Sequence, residues 1–334
     1  MKFGPTPIEE AKGAVLAHGV RIPGAAFKKG DALTPERLQA LAAAGVASVV
    51  AARLEHGDVG ENEAALALAK RLAGANLRCS PPFTGRVNLF AETAGLAIVG
   101  AEAVDRVNAV DEAITVATLP PYRAVAEGDM VATVKIIPFA TPGTTLEAAL
   151  AALGPPGAIA VQPFRPMRIG VVSTMLPGLK ASVVAKTLKA LEARLAPAGA
   201  HVAAQETVPH EVGPLAKALG RLIDGSDALI AFGASAITDR RDVIPAAIEA
   251  IGGRIERFGM PVDPGNLLLL AERGGIPIIG APGCARSPKE NGFDWVLQRV
   301  LAGAPIRDAD IRAMGVGGLL MEIGTRPQPR ASFE

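Results

Sequence analysis

DALIAFGASAITDRRDVIP, residues 227–245, holds a strand, a turn and a helix entrance in direct succession. Residues 227–232 form a nearly unbroken apolar run ending at Phe232, so both strand faces are buried, as in a parallel sheet covered by helices on each side. Gly233-Ala234-Ser235-Ala236 follows, too small to pack and suited to a turn. Thr238-Asp239-Arg240-Arg241-Asp242 then leads into an apolar helix expected over residues 242–251. The same grammar extends in both directions. Strands are expected at 168–173, 201–206 and 276–279, and helices at 179–195, 211–223 and 291–301. Strands alternating with helices at this spacing predict an α/β fold for 164–304, a three-layer, doubly wound, mostly parallel sheet with right-handed crossovers.

Ligands of such sheets bind beyond the carboxyl ends of the strands. That rule selects three loops. The first offers the hydroxyls of Ser173 and Thr174. The second offers Gly233, Ala234, Ser235 and Ala236, whose backbone can approach an anion closely, followed by Asp239, Arg241 and Asp242 as phosphate partner and magnesium ligand. The third, Pro282-Gly283-Cys284-Ala285-Arg286-Ser287, combines small residues with a guanidinium and a hydroxyl. Each has a plainer reading beside it. Glycine-rich turns pack well in most doubly wound proteins, Asp242 suits a helix cap, Arg240 and Arg241 suit a solvated surface, and Cys284 suits a small packed position. None of the loops is a P-loop or a GxGxxG fingerprint.

The chain has 334 residues, 34 Lys plus Arg against 33 Asp plus Glu, and 4% aromatics. This balance lacks the basic excess that nucleic-acid phosphates attract, so nucleic acid is not an expected partner. Hydrophobic residues make up 49% of the chain, yet no uncharged run of about 20 residues escapes interruption, so no membrane span is expected. The charged start, with Glu9, Glu10 and Lys12, does not resemble a signal peptide and points to the cytoplasm. Cys79 and Cys284 read as free thiols, and with four scattered histidines they make no zinc framework.

Upstream, strands are expected at 14–22 and 46–54, with helices at 34–44 and 60–73; Thr34-Pro35 is a strong helix start. These make an N-terminal α/β subdomain, 1–78. Residues 79–163 read as a strand-rich middle subdomain and linker, with a helix at 101–110, a strand at 130–139, and a capping box at Thr144-Thr145-Leu146-Glu147. The proline- and glycine-rich segments at 154–157 and 163–166 mark the main boundary, and 305–334 is a C-terminal extension. His56, Asp58, Glu61 and Glu63 cluster at a helix entrance, where a solvated face outranks a metal or partner site.

In order along the chain, these loops resemble the MoCF (MoaB/Mog-like) domain, the molybdopterin-binding module of molybdenum-cofactor biosynthesis, over about residues 168–303. The segment 227–245 is similar to that family's strand, GGTG-type turn and RDV…P segment, and GIPIIGAPGCARS to its strand and Pro-Gly-bearing loop. The N-terminal HGVRIPGAAFKKGDALTPERLQALAAAGVASVVAARL resembles a bacterial group in which a molybdenum-cofactor nucleotidyltransferase is sometimes fused behind. The resemblance implies molybdopterin as ligand, a homo-oligomer, and a nucleotidyltransferase or apo-molybdoenzyme as partner. It assigns Asp242, and after it Asp239, to magnesium or transfer chemistry. Catalytic members carry an acid just after the first strand where this chain has Ser173-Thr174-Met175, and two glycines of the turn are Ala234 and Ala236. The implied activity is binding, insertion or delivery of a molybdenum-cofactor precursor, with adenylyl or molybdenum transfer on a degenerate motif left open. A non-catalytic docking scaffold and a nucleotide or pyrophosphate hydrolase are the alternatives.

Overall fold

The computed structural model describes residues 1–320; the part of the 305–334 extension from 321 onward lies outside the described residues. Two compact units result, Met1–Gln162 and the chain from Pro163 onward. No helix among the described residues is long and apolar enough to cross a membrane.

In the second unit the elements are β1 (Arg168–Met175), α1 (Ala181–Leu195), β2 (His201–Pro209), α2 (Val212–Ile223), β3 (Ala228–Phe232), α3 (Val243–Ala250), β4 (Arg254–Phe258), β5 (Leu269–Arg273), β6 (Ile276–Ala281), α4 (Gly292–Ala302) and α5 (Asp308–Arg312). The strands form one sheet in the order β2-β1-β3-β6-β5-β4. β2, β1, β3 and β6 run parallel, while β5 is antiparallel to both β6 and β4.

The two-residue period of a strand sorts its side chains between two cores. Ile169, Val171, Ile230, Phe232 and Ile279 pack with Leu191 and Leu195 of α1 and Phe293, Val296 and Val300 of α4. Val172, Leu229, Ala231 and Ile278 pack on the other face with Leu215 and Leu219 of α2 and Ile244 and Ile248 of α3. Each large side chain so buried contributes about 1.5–3 kcal/mol, which fixes both helix layers on the sheet. This is the three-layer α/β arrangement expected for the C-terminal half.

Several local expectations need correction. β1 runs on to Met175, because Ser173 and Thr174 remain paired to Thr207 and Val208 of β2, and Ser173 also to Phe232 of β3; both residues are therefore strand, not loop. Residues 254–273 contain the antiparallel strands β4 and β5, for which no element was expected. The capping box at Thr144–Glu147 does not form. The helix there, Gly143–Leu153, starts two residues earlier with Pro142 at its cap, and the Gly143 N–H is held by the Gly57 carbonyl at 2.8 Å.

The first unit builds two cores. Ile8, Leu16, Leu38, Leu41 and Val49 join the strands Lys2–Pro7, Val15–Leu16 and Ser48–Arg53 to the helix Pro35–Ala43, whose first turn is capped by Thr34 Oγ1. The single strand expected at 14–22 is divided. Val15–Leu16 pairs with residues 51–52, whereas Val20–Ile22 forms a separate hairpin with Ala25–Phe27. The helix Glu61–Leu72, expected within 1–78, buries Ala65, Leu68 and Leu72 against Val87, Leu89, Val134 and Ile159 of the second core.

Candidate functional site

The chain leaves β1 for β2 on one side of it and, after α2, returns as β3 on the other. The loops after β1 and β3 thus diverge at a switch point, beyond whose carboxyl ends doubly wound sheets hold ligands. Register puts the loops at one level: Ser173 of β1 lies opposite Phe232 of β3, and Phe232 opposite Ala281 of β6.

Specific bonds then tie the loops together. The Ala234 N–H donates to Thr174 Oγ1 at 2.8 Å, joining the second loop to β1. Arg286 Nη2 donates to the Gly233 carbonyl at 2.7 Å, joining the third loop to the second, while its Nη1 donates to Thr187 Oγ1 of α1 at 3.3 Å. No carboxylate pairs with Arg286 among the described residues, and burial lowers its guanidinium below the usual value. Gly233 is required at its place: a Cβ there would lie 2.6 Å from the Ser235 carbonyl oxygen. At Gly283 a Cβ would meet nothing within 4 Å, so the third loop faces open space there.

Each expected site residue can be placed. Ser173 and Thr174 are buried, with 3% and 1% of their surface exposed. Gly233 and Ala234 are half-buried, and Ser235 and Ala236 are exposed. The backbone amides of Ser235 and Ala236 make no hydrogen bond among the described residues. Pro282 is buried, Gly283 exposed, and Ser287 half-buried, its hydroxyl accepting from the Lys289 N–H. Arg241 bonds Asp239 through its side chain at 2.8 Å and its backbone N–H, holding that carboxyl below the usual carboxylate range; both side chains are exposed.

Asp242 is the cap of α3. Its Oδ1 accepts from the Val243 N–H at 2.7 Å and its Oδ2 from the Thr238 N–H at 3.2 Å. With Asp242 engaged by amides and Asp239 by an arginine, this donor set does not fit a resident magnesium ion. No group of three or more His, Cys, Asp or Glu able to hold a metal occurs among the described residues. At the entrance of the helix Glu61–Leu72 in the other unit, Asp58 accepts from the Glu55 N–H and pairs with the terminal amine, and Glu61 pairs with Lys135.

Two residues of this edge were not singled out from sequence. His210 follows β2 directly, and its Nδ1 lies 2.8 Å from Thr174 Oγ1. Extending the strand-end rule to β2 would have found it. Arg194 of α1 donates to the carbonyls of Ala285 and Ser287 and so shapes the third loop. Its partners stand about ninety positions away, and no local signal marks it.

Residues 170–302 match the family model described as probable molybdopterin binding domain. This segment is a MoCF-type domain. The match runs from the third residue of β1 to the last of α4, so all three loops lie within it. The domain ties the chain to molybdenum-cofactor biosynthesis. Residues 5–53 match a domain of unknown function. No curated protein matches the chain. Solved structures similar to it include a molybdopterin biosynthesis MoeA protein from Pyrococcus horikoshii, with 14% identity, 90% of this chain and 75% of that one covered, and a TM-score of 0.31. Another is the molybdopterin biosynthesis enzyme MoaB from Thermus thermophilus, with 19% identity, 42% and 98% covered, and a TM-score of 0.30. A molybdenum cofactor biosynthesis protein from Pyrococcus furiosus has 12% identity, 91% and 66% covered, and a TM-score of 0.26.

Proposed function

We propose that the MoCF-type domain binds molybdopterin, or a molybdenum-cofactor precursor, at the crevice beyond β1, β3 and β6, and serves its insertion or delivery. The observation that carries this reading is the joining of the end of β1 and the loops after β3 and β6 into one edge by the Thr174–Ala234 and Arg286–Gly233 bonds. The edge offers what a phosphate-bearing pterin needs. The Ser235 and Ala236 amides can receive a phosphate, and Arg286, half-buried without a carboxylate, gains by pairing with an anion. The pterin's polar rim would meet the Ser235 and Ser287 hydroxyls and backbone carbonyls.

Binding without group transfer is favoured by the end of β1. The chain there reads Ser173-Thr174-Met175-Leu176, with no carboxylate to handle a proton or a metal, and Asp242 is occupied as a cap. The test is a titration of the full chain with molybdopterin, repeated with Ser235→Leu and Arg286→Leu. Saturable binding that weakens about tenfold in each variant, a change of about 1.4 kcal/mol, is expected. Equal, weak uptake by all three proteins would remove the reading.

A further inference from the structure

We infer that His210 is a positioning residue for the second loop and acts through the Thr174 hydroxyl; this deepens the binding reading above and rests on it for its purpose. Thr174 Oγ1 has three polar neighbours: the Ala234 N–H at 2.8 Å, His210 Nδ1 at 2.8 Å and the Phe232 carbonyl at 3.5 Å. A hydroxyl has one proton to give and two lone pairs to offer. The amide can only donate, so it takes a lone pair. The proton must go to His210 or to Phe232, and 3.5 Å is outside the range of a strong O–H···O bond, whereas 2.8 Å to a ring nitrogen is within reach. The proton therefore points at Nδ1, which assigns His210 as the neutral imidazole with its own proton on Nε2.

The surroundings leave little freedom for another arrangement. The His210 N–H donates to the Met175 carbonyl at 2.9 Å, so the residue carrying the ring is fastened beside Thr174. Thr174 is β-branched, stiff about χ1 and 1% exposed, so water does not readily replace the imidazole. Without an acceptor at His210 the hydroxyl proton would turn to the distant Phe232 carbonyl; a lone pair would still face Ala234, but on an oxygen no longer polarised by a strong donated bond, so the Ala234 bond would weaken. Ala234 precedes Ser235 and Ala236, whose amides form the anion-facing part of the loop. In this way a side chain at the end of β2 sets the loop that follows β3, although the two strands are not neighbours in the sheet.

The experiment uses the full chain labelled with 15N. Nitrogen shifts of His210 should show an unprotonated, hydrogen-bonded Nδ1 and a protonated Nε2; a neutral ring protonated on Nδ1 overturns the inference and needs no variant to be seen. Exchange of the Ala234 amide should quicken roughly five- to tenfold in Thr174→Val, the fold-change of one hydrogen bond, and by a smaller factor of about twofold in His210→Phe. The double variant should exchange no faster than Thr174→Val alone, and Thr174→Ser should retain slow exchange. Additive effects, or an Ala234 amide indifferent to His210→Phe, overturn it. Molybdopterin affinity should follow the same non-additive pattern. If the wild-type chain binds no molybdopterin, the functional reading fails by itself, while the amide coupling and the tautomer still decide the role of His210.

Discussion

Arg194 and Asp294 meet between α1 and α4, with Nε 2.6 Å from Oδ1 and both side chains about nine-tenths hidden from solvent. The guanidinium also donates to the carbonyls of Ala285 and Ser287, at 3.1 and 2.7 Å. Asp294 in turn accepts from the Asn291 N–H at 2.8 Å and completes the capping box of α4. One ion pair thus holds the second half of the third loop and the entrance of α4 together. Arg194→Leu leaves a buried carboxylate without its cation and should cost about 3–5 kcal/mol in denaturant unfolding. Hydrogen exchange across residues 282–291 should quicken in the same variant. Replacing both residues by leucine should restore part of the stability but not the protection of the loop, since the carbonyls remain without a donor.

Asp242 separates two roles by substitution. As the cap of α3 it satisfies the Val243 and Thr238 amides, and Asp242→Ala should cost about 1 kcal/mol, within the usual 0.5–2 kcal/mol of a lost cap. Asparagine keeps the Val243 cap through its one oxygen but turns an NH2 toward the Thr238 N–H and carries no charge, so Asp242→Asn should lose about 0.5 kcal/mol in thermal unfolding, less than Asp242→Ala. If molybdopterin affinity also stays within about twofold in Asp242→Asn, the carboxylate serves the helix alone. A loss of about tenfold beside that small change in stability would instead assign its charge to the ligand.

The sheet was legible because β1, β3 and β6 are apolar on both faces, which only helices on both sides can accommodate. The positions of the three loops followed from the strand-end rule alone. Ser173 and Thr174 read as loop hydroxyls because the sequence does not show where a ladder stops; pairing with β2 carries β1 through to Met175. The β4 segment Arg254–Phe258 carries Arg254, Glu256 and Arg257 and is half-buried at the sheet edge, so the apolar run that marks the inner strands is missing. Arg286 was read for a ligand from its charge, but its bond to the Gly233 carbonyl depends on residues fifty-three positions apart. Asp242 illustrates a further limit. Cap and ligand call for the same side chain at the same place, and only the two amide distances show the first in use.

Gly233 and Gly283 make a contrasting pair. A Cβ on Gly233 would press on the Ser235 carbonyl at 2.6 Å and on Ile244 Cδ1 at 3.0 Å, and the first of these is backbone, which yields only if the loop moves. Gly233→Ala should therefore cost about 1–3 kcal/mol, as overpacking does, and weaken molybdopterin binding about tenfold. Gly283→Ala meets open space and should change stability by less than about 0.5 kcal/mol. Any loss of affinity in Gly283→Ala would then report a ligand lying against that glycine, and isothermal titration of both variants measures the difference.

At the opposite end of the sheet, Asp227 joins β3 to β1. Its Oδ2 accepts from the Arg168 N–H at 2.8 Å and its Oδ1 from Arg168 Nη2 at 3.1 Å. The Arg168 side chain, and after it the Arg168 backbone amide, hold the Asp227 carboxyl below its ordinary range. A carboxyl lowered on folding binds its proton more weakly in the native state than in the unfolded chain. Its contribution is therefore present above the unfolded value of about 3.9 and fades as pH falls toward the lower native value. Wild type should exceed Asp227→Asn in stability at neutral pH, and the gap should narrow progressively below about pH 4 in urea unfolding. Both side chains are partly exposed, so added salt should shrink the same gap at neutral pH while the backbone bond keeps part of it. Molybdopterin affinity should not change in Asp227→Asn, because the residue stands at the amino-terminal end of β3, the full length of the strand from the crevice.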